Sequence, residues 1–309
     1  MSNALCVLLS GPPEASAARA GCWPTMLAAA TTAPAEAAKT PQPLVIDPIS
    51  LGLMAVGICV LTVWIISRIF YPKKLSLART PGRSNTLNPL HVVLILLLWM
   101  SGQLLGRKLL SPFFAQADDQ LRVVLALLFQ CIVLAGSLVV ASIAFPLGLR
   151  RGMGLSLRHW LFDSARGVVA YFAVLPMCLG ALWLCSWMTE PAQPIHEMLK
   201  ALLRPGAAWK AVVILLAVVV APVAEEVFFR GVLQSMIRRY TRRPWPAILI
   251  ASALFGLAHF QYWHTVPALF CLGVALGYNY ERCGRLISPI LTHAIFNGVS
   301  IVIYTSVNG

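Results

Sequence analysis

Apolar runs of about 20 residues recur along this chain, the length at which a helix rising 1.5 Å per residue crosses a hydrocarbon core roughly 30 Å thick. Of its 309 residues 59% are hydrophobic and only 11% are charged, where a soluble domain carries about a quarter charged residues. A surface that cannot be made polar has to face lipid. The pattern predicts an all-α fold: a multi-pass transmembrane helical bundle of about eight membrane helices, at 49–67, 88–106, 121–148, 167–188, 211–236, 246–262, 266–280 and 287–305. Gln103 and Gln130 fall inside the second and third helices and are tolerable facing a neighbour helix. Pro176 is expected to kink the fourth. The seventh helix is short and the sixth ends in the polar stretch Gln261-Tyr262-Trp263-His264, so these two are expected to form a tight hairpin.

Residues 1–43, rich in Ala, Pro and Thr, read as a disordered or processed tail, with Met26 as an alternative start. Residues 44–210 hold the amino-terminal membrane helices and 211–305 the segment with chemistry in it, the two forming one bundle. The cysteines stand at 6, 22, 59, 131, 178, 185, 271 and 283 without a C-x-x-C pair. Most lie in apolar runs, where a thiol acts as a small hydrophobe, so no disulfide or metal framework is expected.

The net charge of +13 does not call for nucleic acid, because the basic residues sort by loop. Arg68, Lys73, Lys74, Arg79 and Arg83 lie in the first loop, Arg150, Arg151, Arg158 and Arg166 in the third, Arg238, Arg239, Arg242 and Arg243 in the fifth, and Arg282 and Arg285 in the seventh. The even-numbered loops and their helix ends hold only Arg107, Lys108, Arg122, Lys200, Arg204 and Lys210. By the positive-inside rule the odd-numbered loops are cytoplasmic and both termini outside. Ala-rich composition and short loops lean towards a bacterial inner membrane.

An ionisable group inside a membrane helix costs about 2.5–3.5 kcal/mol even on lenient scales, so it usually has a function. Most carboxylates here fall in tails, loops or helix ends, including Asp163 and Glu281. The exceptions are Glu225 and Glu226, mid-way along the fifth helix. Adjacent helical residues point about 100° apart, so the two carboxylates face different surroundings. Glu226 and Arg230 are four apart, in the favourable order for an ion pair, and alone would read as a packing network. Glu225 has no partner at that spacing.

Two further helices supply polar groups: the sixth carries Phe255 and His259, the eighth His293 and Asn297 one turn apart. Counted from the basic loops, Glu225 and His259 lie about 20 Å deep, His293 about 12 Å and Asn297 about 18 Å. One layer of the bundle holds all four.

Glu-Glu-x-x-x-Arg, then Phe-x-x-x-His, then His-x-x-x-Asn, each in its own membrane helix, resembles the CPBP family, which includes type II CAAX-prenyl endopeptidases and relatives linked to bacteriocin processing and self-immunity. The likeness covers roughly residues 211–305. It implies an intramembrane endopeptidase acting on a membrane-associated protein or peptide. Glu225 and His259 would activate water as general base and acid, His293 and Asn297 would hold the oxyanion, and Glu226 with Arg230 would support the helix carrying Glu225. No cofactor is the preferred reading; zinc on Glu225, His259 and His293 plus a water is the alternative. A scaffold or immunity protein of the same fold, without catalysis, is the competing function. A proton-coupled transporter would explain Glu225 but not the His–Asn pair.

Other intramembrane proteases do not match. His196-Glu197-Met198-Leu199-Lys200 lacks the second histidine of H-E-x-x-H. Trp99 stands where a G-x-S-G serine enzyme needs its first glycine, and no pair of Asp residues lies in a membrane helix. The charge asymmetry generates a topology test. Reporters fused within 73–83 and 238–243 are expected to be cytoplasmic and one after Gly309 external; an external 238–243 loop reverses the orientation.

Overall fold

In a computed structural model of the chain, the described residues are 48–72, 82–100, 119–188 and 206–308, with positions 76, 77, 80, 199 and 202. The amino-terminal tail with Cys6 and Cys22, His196, Glu197 and Met198, and Gln103, Lys73, Lys74, Arg79, Arg107, Lys108, Lys200 and Arg204 lie outside them. Most of the described residues are helical, and no strand occurs among them. They are α1 (Pro48–Phe70), α2 (Pro89–Met100), α3 (Asp119–Ala144), α4 (Trp160–Met188), α5 (Ala207–Thr241), α6 (Pro244–Leu257), α7 (Val266–Cys283) and α8 (Ile287–Asn308). Parts of α1, α4, α5 and α8 are long and apolar enough to cross a bilayer. The chain is an integral membrane protein.

α5 is the centre of the bundle. Within its most apolar window 56% of residues are buried, against 6% for α1, so α1 is a peripheral helix whose apolar surface lipid must cover. α4 packs against α1, α7 and α8. The core where they meet includes Trp99, Phe145, Met153, Phe228, Phe229, Phe255, Leu272 and Tyr280.

Pro176 lies within α4 without ending it. A proline has no N–H to give to the carbonyl four residues earlier, which here is Phe172. At that place α1 presents Gly57, where a Cβ would lie 2.7 Å from the Phe172 oxygen and 2.9 Å from the Pro176 ring. Only a residue without a side chain lets α1 approach so closely.

Helix ends differ from expectation where the chain reverses. α6 stops at Leu257, so His259 stands beyond the helix rather than within it, at the start of a tight turn over Phe260–Thr265. α6 and α7 pack as the expected hairpin, with Gly273 so close to Ser252 that a Cβ would lie 2.9 Å from it. α3 ends at Ala144, earlier than periodicity predicts, and a single wide turn follows at Leu149–Met153. Described cysteines 59, 131, 178, 185, 271 and 283 are all free thiols.

The arginine-rich end of the bundle is more ordered than a loop reading suggests, and it corrects the reading of two carboxylates. Asp163 is fully buried and Glu281 nearly so. Asp163 takes both Nε and Nη2 of Arg285, at 2.5 and 2.6 Å. Glu281 accepts from Gln234 at 3.0 Å, with Arg238 and Arg83 at 3.7 and 3.9 Å. Both acids sit at helix ends, as expected, but paired arginines allow them to be buried there.

The wide turn at Leu149–Met153 ends on Gly154, whose φ of 87° lies in the left-handed region and where a Cβ would meet the Gly284 carbonyl oxygen at 2.3 Å. Gly154→Ala is therefore expected to lower the unfolding midpoint in detergent, by more than the ~1–3 kcal/mol of backbone strain alone. Gly180→Ala, with nothing within 4 Å of the new methyl, should leave the midpoint unchanged or raise it.

Candidate active site

The motif residues gather where α5, α8 and the end of α6 meet. α5 carries Glu225, Glu226 and Arg230, all buried, and α8 carries buried His293 with half-buried Asn297 one turn on. The 100° between adjacent helical positions separates the two glutamates. Oε1 of Glu226 accepts from Nη1 of Arg230 at 2.8 Å and lies 3.0 Å from Nδ1 of His293. Oε2 of Glu225 lies 3.9 Å from Nε2 of the same ring. The imidazole is thus held between two consecutive carboxylates, one at each nitrogen. An ionised carboxylate only accepts hydrogen bonds, which assigns the proton of the short contact to Nδ1 of His293. Nε2 faces Glu225 across a gap too long for a hydrogen bond.

Arg230 binds three helices together. Nη2 donates to the Gly273 carbonyl of α7 at 3.2 Å, and the guanidinium lies 4.7 Å from the centre of the Phe255 ring of α6, within cation–π range. Phe255 also meets His259 and His293 edge-on, at 5.2 and 5.6 Å between ring centres. Nδ1 of His259 is 2.9 Å from the Phe255 carbonyl oxygen. That oxygen is an acceptor, so Nδ1 carries the proton and Nε2 is the free basic atom. Among the described residues His293 contacts both glutamates, and Phe255 separates it from His259.

Asn297 has a local role that Pro222 explains. α5 contains two stretches wound more widely than an α-helix, Leu216–Val220 and Val227–Gln234, a geometry frequent at functional sites. In the first, the Ala221 N–H donates five residues back to Leu216. The next donor in that register would be Pro222, which has no N–H, so the Ala217 carbonyl loses its partner. Nδ2 of Asn297 donates to it at 2.8 Å. Asn297 therefore caps a defect in α5, one of its two amide protons being engaged there.

Of the expected residues, the structure brings together Glu225, Glu226, Arg230 and His293 and places His259 and Asn297 beside them. No three His, Cys, Asp or Glu side chains among the described residues converge as a metal-ligand set, so Glu225, His259 and His293 do not share one centre here. The reading of the sequence missed the Glu226–His293 bond and the part of Gly273. No sequence signal marks the glycine, whereas Phe255, four before His259 on the same helical face, is marked by its spacing.

Residues 207–299 match the family model described as type II CAAX prenyl endopeptidase Rce1-like. This segment is an Rce1-like domain. It contains each of the motif residues above, and α3 and α4 pack on it from outside the matched range. An Escherichia coli relative described as "Uncharacterized 24.3 kDa protein" is 32% identical over 124 residues, 39% of this chain and 56% of that one. "Uncharacterized protein YpbD" of Bacillus subtilis (strain 168) is 35% identical over 79 residues, 25% of this chain and 37% of its own length. This chain thus spans about half or less of the curated relatives it matches. No solved structure matches it.

Within the Rce1-like domain Glu226 is the residue on which the arrangement depends. Glu226→Gln leaves Arg230 buried without its counter-charge, and breaking such a pair costs about 3–5 kcal/mol. We expect a lower steady-state amount and a lower unfolding midpoint for Glu226→Gln. Glu225→Gln, which removes only the 3.9 Å contact, should accumulate as wild type; equal losses in both would refute the division of roles.

Proposed function

We propose that the chain is an intramembrane endopeptidase that hydrolyses a peptide bond of a membrane-associated protein or peptide. The observation that carries this reading is the convergence of Glu225, Glu226 and His293, at 3.0 and 3.9 Å, beside His259 in a buried part of an Rce1-like domain. Glu225 takes a proton from water as the oxygen attacks the scissile carbonyl, basic Nε2 of His259 receives that proton from Glu225, and the resulting imidazolium hands it to the amine as the C–N bond breaks. The oxyanion forms beside His293 and Asn297, with one amide proton of Asn297 still available. Nε2 of His293, on the side of the ring away from Glu226, is the nitrogen that faces this position. Low local dielectric strengthens each of these interactions.

A zinc-dependent variant is supported by one observation, the Glu226–His293 bond. A carboxylate on the far nitrogen is how metal-ligating histidines are commonly oriented, and Nε2 would be the ligating atom. The metal-free route is preferred because it needs no third ligand. A scaffold that sequesters a partner would retain the fold but has no use for Glu225 as a base.

Comparative proteomics of membrane fractions carrying wild type or Glu225→Gln tests the proposal. A substrate should appear shortened with the wild type and intact with the variant, because the amide keeps the shape but cannot take a proton. Full activity in Glu225→Gln would favour the scaffold. In purified protein, cleavage that survives chelation fits the metal-free route; loss on chelation with recovery on added zinc assigns the metal.

A further inference from the structure

The segment between α3 and α4 is pinned at its middle and open on its flanks. Gly152, Met153 and Gly154 are buried. The Met153 carbonyl accepts from the Tyr280 hydroxyl at 2.9 Å, and the Gly154 carbonyl from the Leu286 N–H at 3.1 Å. The first turn of α4 is fastened to the same α7–α8 connection by the pair of Asp163 with Arg285. These ties make the segment a strap held across the arginine-rich end of the bundle, not a loop that trails into water.

The strap and the start of α4 turn two chemistries outward. Arg150, Arg151 and Arg158 are exposed, and among them Leu147, Leu157 and Trp160 are 59%, 67% and 55% exposed. Water would leave the apolar side chains uncovered, and hydrocarbon would leave the guanidiniums without a partner. The headgroup layer suits both, since it combines charge with the edge of the acyl chains. The α5–α6 turn carries the same mixture, with Tyr240 and Trp245 exposed beside exposed Arg242 and Arg243. Aromatic side chains of this kind mark the interfacial level.

Arg166 narrows the choice of partner. It stands six residues after Trp160, about 9 Å into α4, and is exposed. At helical spacing it shares a face with Phe162 and Val169, which are 72% and 54% exposed. A guanidinium among lipid-facing apolar neighbours is costly unless its head reaches the interface or a phosphate comes to it. The protein supplies no counter-charge for these cations among the described residues. Asp163 and Glu281, the described carboxylates at this end, are both buried, the first held by Arg285 and the second by Gln234 with Arg238 and Arg83 nearby. Exposed cations collared by apolar groups, with no exposed acid beside them, call for anions that bring hydrocarbon of their own.

We propose that the strap and the first two turns of α4 form a binding surface for anionic phospholipids. Arg150, Arg151, Arg158 and Arg166 engage the headgroup phosphates, while Leu157, Trp160 and Phe162 lie against the acyl chains. Clusters of basic residues beside a membrane helix attract anionic lipid in this way. An acidic soluble protein would meet the charges but has no means of reaching Arg166 and Phe162 on the lipid-facing side of α4. The surface lies outside the Rce1-like segment, and the proposal is independent of the peptidase reading.

The test uses purified protein, stripped of lipid in a neutral detergent and read by native mass spectrometry. Phosphatidylglycerol and phosphatidylcholine with the same acyl chains are titrated separately, and the retained lipid gives a dissociation constant for each. The wild type should prefer phosphatidylglycerol by on the order of fivefold for each arginine engaged, and the preference should shrink as ammonium acetate is raised. Arg158→Gln combined with Arg166→Gln should weaken phosphatidylglycerol by about twentyfold and leave phosphatidylcholine unchanged. Lys210→Gln, an exposed position near the start of α5, should bind both lipids as the wild type does. All three substituted side chains are exposed, so the fold is expected to tolerate them. Equal affinity of the wild type for the two lipids overturns the proposal, as does a phosphatidylglycerol preference that the double variant keeps. Inorganic phosphate and polyglutamate separate the other sources of anion, and neither should displace phosphatidylglycerol at equal concentration. Displacement by phosphate would make this a site for a free anion, and displacement by polyglutamate a docking face for an acidic protein; either result overturns the lipid assignment.

Discussion

One carboxylate oxygen ties this structure together. Oε1 of Glu226 is shared by Arg230 of the same helix and His293 of α8, and Arg230 passes the connection to α7 through the Gly273 carbonyl and to α6 through the Phe255 ring. In a bilayer no hydrophobic force draws helices together, so packing and interhelical polar contacts must hold them. The buried charges of α5 are costly in lipid, and the Glu226–Arg230 pair is offset only while it stays together, which makes the helices around it hard to separate. The groups proposed for chemistry, Glu225 and Nε2 of His293, are the members of this cluster left without a hydrogen bond between them.

Much of this was legible in the sequence because membrane burial leaves a plain mark. A run of apolar residues announces a helix, and a glutamate or histidine inside it stands out. The spacing of Glu226 and Arg230 gave their ion pair directly, and the polar stretch after α6 gave the hairpin. Illegible were contacts between distant elements. Asp163 and Glu281 looked like ordinary helix-end acids because their partners Arg285, Arg83 and Arg238 are remote in sequence or on another helix. The end of α6 was misplaced because Ala258 and His259 contain no helix breaker; the chain reverses there to form the hairpin. The use of Asn297 was in principle available, since Pro222 must leave a carbonyl of α5 without a partner, but which side chain answers it is a matter of packing.

The basic residues illustrate two functions of one feature. Their asymmetry reads as an orientation signal, and the described members do more than mark a side. Arg83 lies 3.5 Å from the centre of the Tyr280 ring and donates to the Tyr280 carbonyl, Arg239 donates to the Leu87 carbonyl, and Arg285 grips Asp163. These basic side chains are thus ties that fasten connecting segments to the helix ends.

The order of helices along the chain adds a consequence for biosynthesis. α5 carries Glu225, Glu226 and Arg230 into the membrane before α7, which accepts from Arg230, and well before α8, which brings His293. During synthesis the acidic pair therefore waits for its imidazole, with Arg230 as its sole compensation from within the helix. The site is assembled only when the final helix docks. A chain truncated before α8 carries an unfinished polar cluster in lipid, a defect by which membrane quality control can tell an incomplete protein from a finished one.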